Sequence, residues 1–490
     1  MLVSFDTSSI DDYRKFLALK SVPSYSWSGL RAVVPDEYAA MVTGDVRRAS
    51  VDVEYDPSPF CFDYQAGIAS LAIRKKKYAA FVDCGYGKTI IGLEFAKHAI
   101  RASGKKMMWV SPLMVCEQTV SECKRFYGDR IAVEQIAAAD LQSWMNSPGE
   151  CLGVTNYEAI RDDIRPGKIG GIILDESSYL KSHYGAWGTR LIEIGRGVEW
   201  KLAMTGTPAP NDRIEYANHA VFCDQVRTTN EFLAKYFVNK GQTQERWVIK
   251  PHALRPFYRD MSSWCIFMTD PTVYGWKDNA EAIPPIHVHL EQVPLTPQQR
   301  QSVSTLTGGL FVREAGGIGQ RSQLMRIAKG YDGCPTNKPQ YIYDRVASWP
   351  DESTIIWCHF NDEQDMMEKT FSAAASIRGS TPIERRRELI EAFKAGDIKT
   401  MISKPKVLGF GLNLQVATRQ VFNGMNDSYE DFYQAVKRSN RVGSTRPLNV
   451  HVPLTEIEEP MVSNVLRKAG RVESDAKEQE ALFLQYGIRQ

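Results

Sequence analysis

The stretch that most constrains this chain is Tyr78-Ala-Ala-Phe-Val-Asp, then Cys84-Gly85-Tyr86-Gly87-Lys88-Thr89, then a helical pattern from Ile90 to Ile100. The apolar run reads as a buried strand, and the glycine-rich turn after it opens a helix. Glycines such as Gly85 and Gly87 let backbone N–H groups turn toward phosphate oxygens, and a helix N-terminus favours their charge. Lys88 is then placed to reach the β- and γ-phosphates of a nucleotide, and the Thr89 hydroxyl to ligate Mg²⁺. The longer phosphate-loop pattern has a further glycine where this chain has Val82, so the shorter Gly-x-Gly-Lys-Thr form is present. Read alone, the same letters also fit a glycine turn with an exposed lysine.

The context extends the reading. Short apolar runs recur at Met107-Met-Trp-Val-Ser, Cys151-Leu-Gly-Val-Thr, Gly171-Ile-Ile-Leu-Asp and Lys201-Leu-Ala-Met-Thr, separated by helix-length segments. This alternation predicts a parallel α/β sheet. It blurs between about Asn211 and Pro285, an aromatic-rich stretch that reads as helices and loops. A second series follows at Thr354-Ile-Ile-Trp-Cys-His, Ala375-Ser-Ile-Arg-Gly, Lys399-Thr-Met-Ile-Ser, Gln420-Val-Phe-Asn and Asn449-Val-His-Val-Pro, with helices expected over Glu384–Lys394 and Tyr429–Arg441. The expected domains are an N-terminal appendage (1–58), a first α/β lobe (59–215), a helical insertion and crossing (216–335), a second α/β lobe (336–457) and a helical tail (458–490). At 490 residues the chain has room for more than one core.

A second chemical element stands at Ile172-Ile-Leu-Asp175-Glu176-Ser177-Ser178, an apolar strand ending in two adjacent carboxylates. Downstream of a phosphate loop, Asp175 suits Mg²⁺ and Glu176 suits the orientation and deprotonation of an attacking water. Alone, such a pair is commonly a solvated turn. Composition narrows the partners. Sixty Lys and Arg against 58 Asp and Glu leave a formal charge of +2, so nucleic acid cannot be gripped through overall charge and needs a local groove. No apolar run approaches the length of a membrane span, and the start Met-Leu-Val-Ser-Phe-Asp lacks signal-peptide character. The nine cysteines are scattered, with no Cys-x-x-Cys pair, so a reducing cytoplasm is expected.

In order and wording these elements resemble those of superfamily-two helicases, and within them the Swi/Snf-type ATPases. Tyr64-Gln65 is similar to the glutamine element that reads adenine, Gly85 to Thr89 to motif I, and Trp109-Val-Ser111-Pro-Leu to motif Ia. Thr155-Asn156-Tyr-Glu resembles the family's "TYE" element, Asp175 to Ser178 motif II, and Met204-Thr205-Gly-Thr207-Pro-Ala-Pro-Asn211 motif III. Farther on, Ile355 to Phe360 resembles motif IV, Ile377-Arg-Gly-Ser380-Thr the "DGST" stretch, Gly409-Phe-Gly411-Leu-Asn413 motif V, and Gln434-Ala-Val-Lys-Arg438-Ser-Asn-Arg441-Val-Gly443 motif VI. The resemblance runs from about residue 60 to 455.

It implies two RecA-like lobes plus a helical insertion, with ATP and Mg²⁺ in the cleft. Gln65, Gly85, Gly87, Lys88, Thr89 and Gly411 would bind nucleotide, Thr89 and Asp175 the metal, and Glu176, Gln434, Arg438 and Arg441 would serve catalysis. Ser111, Thr155, Asn156, His359 and Ser380 would touch a nucleic-acid backbone, a task for small polar side chains that position without reading sequence. Thr205 and Thr207 would couple the sites. The spacing of Gln434, Arg438 and Arg441 at i, i+4 and i+7 predicts one helix face.

Two departures from the family's wording stand out. Ser177-Ser178 replace Ala-His, so a hydroxyl is expected in place of an imidazole, and Ser444 replaces a Gln. The basic runs Arg74–Lys77 and Arg385–Arg387 read as solvated faces. Trp264 and Trp276 read as core, with base stacking the lesser alternative, and residues 1–58 read as a covering on the first lobe. His287 and His289 alternate on a possible strand without a metal-binding pattern. The resemblance implies an ATP-dependent motor, expected as a monomer, that translocates along or remodels duplex or branched DNA. Two alternatives stand beside it: a strand-separating or branch-migrating helicase, and an ATP-gated clamp that does not travel.

Overall fold

In the computed structural model the apolar runs become the strands of two separate sheets. The structure describes residues 2–22, 25–34, 38, 42, 54–182, 185–241, 247–277, 283–307, 318–330, 334–408, 413–425, 428–441 and 444–486. The chain divides into two compact units. One comprises Met1–Asp278 with Glu473–Gln490, and the other Asn279–Val472.

The first unit opens with a three-stranded antiparallel sheet, β1 (Leu2–Ser4), β2 (Ser26–Ser28) and β3 (Arg31–Val33), with the helix Ile10–Lys20 after β1. Val3, Phe5, Leu19, Val22, Ala32, Val34, Tyr38 and Val42 form its own small core. This is more than a simple covering: Val3 on β1 and Ala32 on β3 turn inward and join Leu19 and Val22 in a core of their own. Tyr38 ties it to the rest by donating to the His252 carbonyl at 3.3 Å.

The main sheet of this unit contains β4 (Lys77–Val82), β5 (Met107–Ser111), β6 (Val133–Gln135), β7 (Leu152–Asn156), β8 (Gly171–Asp175) and β9 (Trp200–Met204). A two-stranded ribbon, β10 (Phe237–Asn239) and β11 (Trp247–Ile249), comes next, and β12 (Cys265–Met268) completes the main sheet in the order β12-β4-β9-β8-β5-β7-β6. Every pairing in the main sheet is parallel. Strands β5, β8 and β9 are buried at every residue, which is why they read as continuous apolar runs. The place of β12 corrects the expected insertion. Residues from 216 to the end of β12 are part of this unit, because Cys265–Met268 pairs with β4 as the sheet's edge strand and Phe257, Tyr258 and Trp264 are buried in its core.

The second unit has a six-stranded parallel sheet built from β13 (Ile286–Gln292), β14 (Thr354–Trp357), β15 (Ala375–Ser376), β16 (Thr400–Ser403), β17 (Arg419–Phe422) and β18 (Leu448–Leu454). Its order is β13-β18-β17-β14-β16-β15. His287 and His289 lie on β13, at the sheet's edge. The last helix, Glu459–Tyr486, begins in this unit, and its final turns pack in the first, where Asp475 pairs with Arg213 and Glu480 accepts from the Thr269 backbone N–H at 2.8 Å. No described helix is long and apolar enough to cross a membrane. The nine cysteines are free thiols. The run Arg74–Lys77 is structural: Lys76 pairs with Glu199 at 2.5 Å and Lys77 with Asp224 at 2.5 Å.

Candidate active site

The carboxyl ends of the parallel strands carry the expected chemistry of the first unit, the usual place for a ligand in such a sheet. After β4 the backbone turns through Gly85 at φ 97° and Gly87 at φ 73°, conformations that favour glycine. The helix Lys88–Ser103 starts at once, with Gly87 as its N-cap. Among the described residues no backbone carbonyl takes the N–H groups of Gly85, Gly87, Lys88 or Thr89. They form a cradle at a helix N-terminus, which suits phosphate. Lys88 Nζ donates to the carbonyls of Val82 at 3.0 Å and Asp83 at 3.4 Å. Burial works against its charge, yet Cys84, Glu176, Asp83 and Asp175 together hold the ammonium above the ordinary lysine value.

Gln65 lies against this loop. Its Oε1 accepts the Phe62 N–H at 3.1 Å, and its Nε2 donates to the Tyr86 carbonyl at 3.3 Å. A side chain on Gly87 would run into that amide. The element expected to read adenine and the phosphate loop are thus in direct contact.

Asp175 closes β8, and its Oδ1 accepts the Glu176 N–H at 3.1 Å. Burial, then the neighbouring Glu176 charge, pushes the Asp175 carboxyl up to about 7, against the pull of Lys88. Glu176 has φ 53° and ψ 52°, a left-handed conformation that costs a non-glycine residue on the order of 1–3 kcal/mol. Only Lys76 and Asp224 share a positive φ among the described non-glycine residues. Strain of this kind marks a site whose surroundings over-determine it. Here Thr205 Oγ1 donates to Glu176 Oε2 at 3.2 Å, and the Thr207 N–H donates to Thr205 Oγ1 at 3.2 Å. The two coupling residues named from sequence therefore join the motif II carboxylate to the turn after β9.

Sequence reasoning missed two partners of this strand end. The hydroxyl expected in place of an imidazole at motif II has an imidazole for a partner: His219, from the helix Tyr216–Phe222, brings its Nε2 to 3.1 Å from Ser177 Oγ across 42 residues. Burial pushes His219 down to about 4, so it is neutral. Tyr157 donates its hydroxyl to the Asp175 carbonyl at 2.7 Å and stacks on Tyr179 at 4.0 Å. The first residue depends on a fold-level contact with no local signature. The second lies within the "TYE" element, where its aromatic was the available signal.

The expected nucleic-acid residues separate. Ser111 is fully buried, its Oγ 3.4 Å from Cys116 Sγ, and buried Thr155 donates to the Ile136 carbonyl at 3.2 Å. Asn156 caps a short helix by accepting the Ala159 N–H at 2.9 Å. In the second unit His359 turns inward to the backbone of Gly424, and burial holds it well below the ordinary histidine value. The side chains of Ser111, Thr155 and His359 are thus engaged within the protein, and their contact with a nucleic-acid backbone stays an expectation from the sequence. Ser380 is exposed in the turn before the helix Ile383–Ala395.

Motif VI is also corrected. Its helix, Tyr429–Ser439, carries Gln434 and Arg438, both buried, but ends before Arg441. Asn440 leaves the helix in an extended conformation and donates through Nδ2 to the Pro284 carbonyl at 2.6 Å. Arg441 sits in a turn closed by Ser444, whose Oγ accepts the Arg441 N–H at 3.2 Å and donates to the Ser439 carbonyl at 2.9 Å. Gln434 Nε2 lies 3.4 Å from Glu430 Oε1. Gly411 and Gly443 lie outside the described residues. Trp264 is buried in the first unit's core, and half-buried Trp276 packs against that unit's other core cluster, 5.1 Å from Tyr274.

Residues 337–443 match the family of the helicase conserved C-terminal domain. Over 114 residues the chain is 33% identical to the ATP-dependent helicase fft1 of Schizosaccharomyces pombe, a match covering 22% of this chain and 12% of that protein. Over 141 residues it is 30% identical to the ATP-dependent helicase FUN30 of Saccharomyces cerevisiae, covering 27% of this chain and 12% of that protein. The chain thus matches only a small part of these curated relatives. The solved SWI2/SNF2 ATPase core of Sulfolobus solfataricus in complex with dsDNA is 18% identical, with a TM-score of 0.40 over 87% of this chain and 96% of that one. Residues 337–443 thus match a helicase C-terminal domain, and the motifs, in one order along both units, are similar to those of superfamily-two helicases of the Swi/Snf type.

Proposed function

We propose that the chain is an ATP-driven motor acting on duplex or branched DNA. One observation carries the reading: Glu176, strained and bonded to Thr205, stands beside a phosphate loop whose lysine stays charged. A carboxylate fixed in this way can orient a water for in-line attack and accept its proton. Lys88 and the N–H cradle would bind the β- and γ-phosphates, and Gln65 would meet the base. Thr89 and Asp175 would hold Mg²⁺, which when bound neutralises charge on the phosphate oxygens. Among the described residues no three His, Cys, Asp or Glu gather as a metal cage. Mg²⁺ is ordinarily held by one or two carboxylates together with substrate phosphates.

Thr205 and Thr207 give the carboxylate a route to the segment after β9, so the nucleotide state can be felt beyond the site. Arg438 and Arg441 of the second unit are assigned the charge neutralisation that accelerates phosphoryl transfer. The Swi/Snf resemblance favours duplex DNA, and the balanced charge favours backbone contact in a local groove. The test is ATP hydrolysis measured with duplex DNA, single-stranded DNA, branched DNA and RNA side by side. Duplex or branched DNA is expected to stimulate most, with little sequence preference and with loss at high salt. Stimulation by RNA with no response to duplex DNA would overturn the substrate. Efficient unwinding of tailed duplexes would favour the strand-separating reading, and hydrolysis independent of duplex length would favour the clamp.

A further inference from the structure

In the second sheet β14 and β17 are neighbours, yet the chain leaves them in opposite directions. From β14 it continues to β15 and β16 on one flank, and from β17 to β18 on the other. A reversal of this kind opens a crevice beyond the carboxyl ends of the two strands. His359 and Phe360 come after β14 there, and Asn423 and Gly424 after β17.

This crevice is filled with buried polar side chains. Lys338 and Glu458 are fully buried and pair at 2.5 Å. Lys329 and Glu363, each 1% exposed, approach only to 3.8 Å, too far for a hydrogen bond. Asn423 is fully buried. Lys329 Nζ, Glu363 Oε1, Glu458 Oε1 and both amide atoms of Asn423 have no hydrogen-bond partner among the described residues. The Gly424 backbone, at φ +82°, lies against the Lys338–Glu458 pair: a Cβ there would come to 2.8 Å from Lys338 Nζ.

Atoms stripped of water without replacement are rare in native interiors, and bound water is the usual remedy. Here two donor groups and three acceptor atoms, on neighbouring residues at the ends of β14 and β17 and on the helices against them, are left to be satisfied. Two ammonium groups offset two carboxylates, so neither a bare cation nor an anion is favoured. A small neutral species that both donates and accepts fits, and water has that chemistry.

We propose that this crevice is a closed water-binding site whose ordered waters bridge Lys329, Glu363, Asn423 and Glu458, and that it positions the His359–Phe360 loop. The loop is held from inside. Glu363 Oε2 accepts the N–H of His359 at 2.6 Å and of Phe360 at 3.0 Å, and Lys329 Nζ lies 5.7 Å from the Phe360 ring centre. Lys329 and Glu363 are thus positioning residues for the motif IV loop. Their effect on DNA grip rests on the proposed function, whereas the water site does not.

Two experiments separate these claims. A crystal structure of the full chain, fine enough to place solvent, is expected to show ordered waters each bridging two of the orphan atoms. A dry cluster, or one whose atoms bond directly to each other, overturns the water site. Lys329→Met is expected to raise the duplex-DNA concentration for half-maximal ATPase stimulation about fivefold or more, the low end of typical coupling. Unstimulated hydrolysis should hold within about twofold, and adding Glu363→Gln should restore the DNA response by removing the unbalanced charge while keeping an oxygen for the loop. An unchanged DNA response in Lys329→Met overturns the positioning role, as does an equal loss of unstimulated and stimulated rates. A wild-type chain with no DNA response removes the motor reading and the grip with it, while the crystal structure still decides the water site.

Discussion

The two units hold their reactive groups in different ways. In the first, the groups are tied to one another: Glu176 to Thr205, Thr205 to Thr207, and Gln65 to the phosphate loop. In the second, Arg441 is placed by its backbone, through Ser444 Oγ and through its carbonyl, which accepts from Gln415 Nε2 at 3.4 Å. No hydrogen bond of its guanidinium is seen among the described residues. In the first unit the side chains are fixed by one another, whereas in the second Arg441 is fixed through its backbone. This division suits a reaction in which binding and turnover are separable.

The comparison can be broken most forcefully at Lys88. Lys88→Ala should abolish ATP hydrolysis and weaken ATP binding together, because the charge on the β/γ-phosphates is lost. Binding assays and steady-state rates on the same preparation check this. Arg441→Ala should separate the two: ATP affinity near wild type, with turnover lower by about 10³-fold or more, the scale of arginine-finger losses. Equal ATP affinity and equal turnover in that variant would mean that the second unit takes no part in hydrolysis.

Thr205→Val removes the hydroxyl that holds Glu176 and keeps the shape. A fall of about tenfold or more in turnover with unchanged ATP affinity is expected, the low end for a lost hydrogen bond to a carboxylate. A smaller loss is expected for Ser444→Ala, which opens the Arg441 turn, and single-turnover kinetics would resolve it. A further effect, on stability and not on turnover, concerns acid. His219 stays neutral in the fold down to about 4, well below its ordinary value of 6.5. Its contribution is therefore complete above pH 6.5 and is lost progressively as pH falls toward 4, by up to about 3 kcal/mol. His219→Gln keeps a hydrogen-bonding side chain without the titration, so its melting temperature should fall less steeply than wild type over that window.

What the sequence made legible was local. Met107–Ser111 and Gly171–Asp175 are strands with the bounds read from their apolar runs, because each run is buried along its whole length and stops at a polar residue. The phosphate loop was legible because its glycines, lysine and threonine are contiguous. The rest depended on distant contacts. Cys265–Met268 is only four residues within an aromatic-rich stretch, and nothing local assigns it to the edge beside β4. The helix before Arg441 ends where Asn440 meets a carbonyl 156 residues away. His359 carries the polar character of a nucleic-acid contact, yet a buried partner draws it inward.

Glu176, held by Thr205, is proposed to orient the attacking water. Glu176→Gln preserves shape, leaves Asp175 for the metal, and removes only the proton acceptor. ATP binding and steady-state hydrolysis of this variant are the decisive pair of measurements. ATP affinity near wild type with turnover lower by about 10²-fold or more is expected, whereas turnover at the wild-type rate would exclude Glu176 as the base.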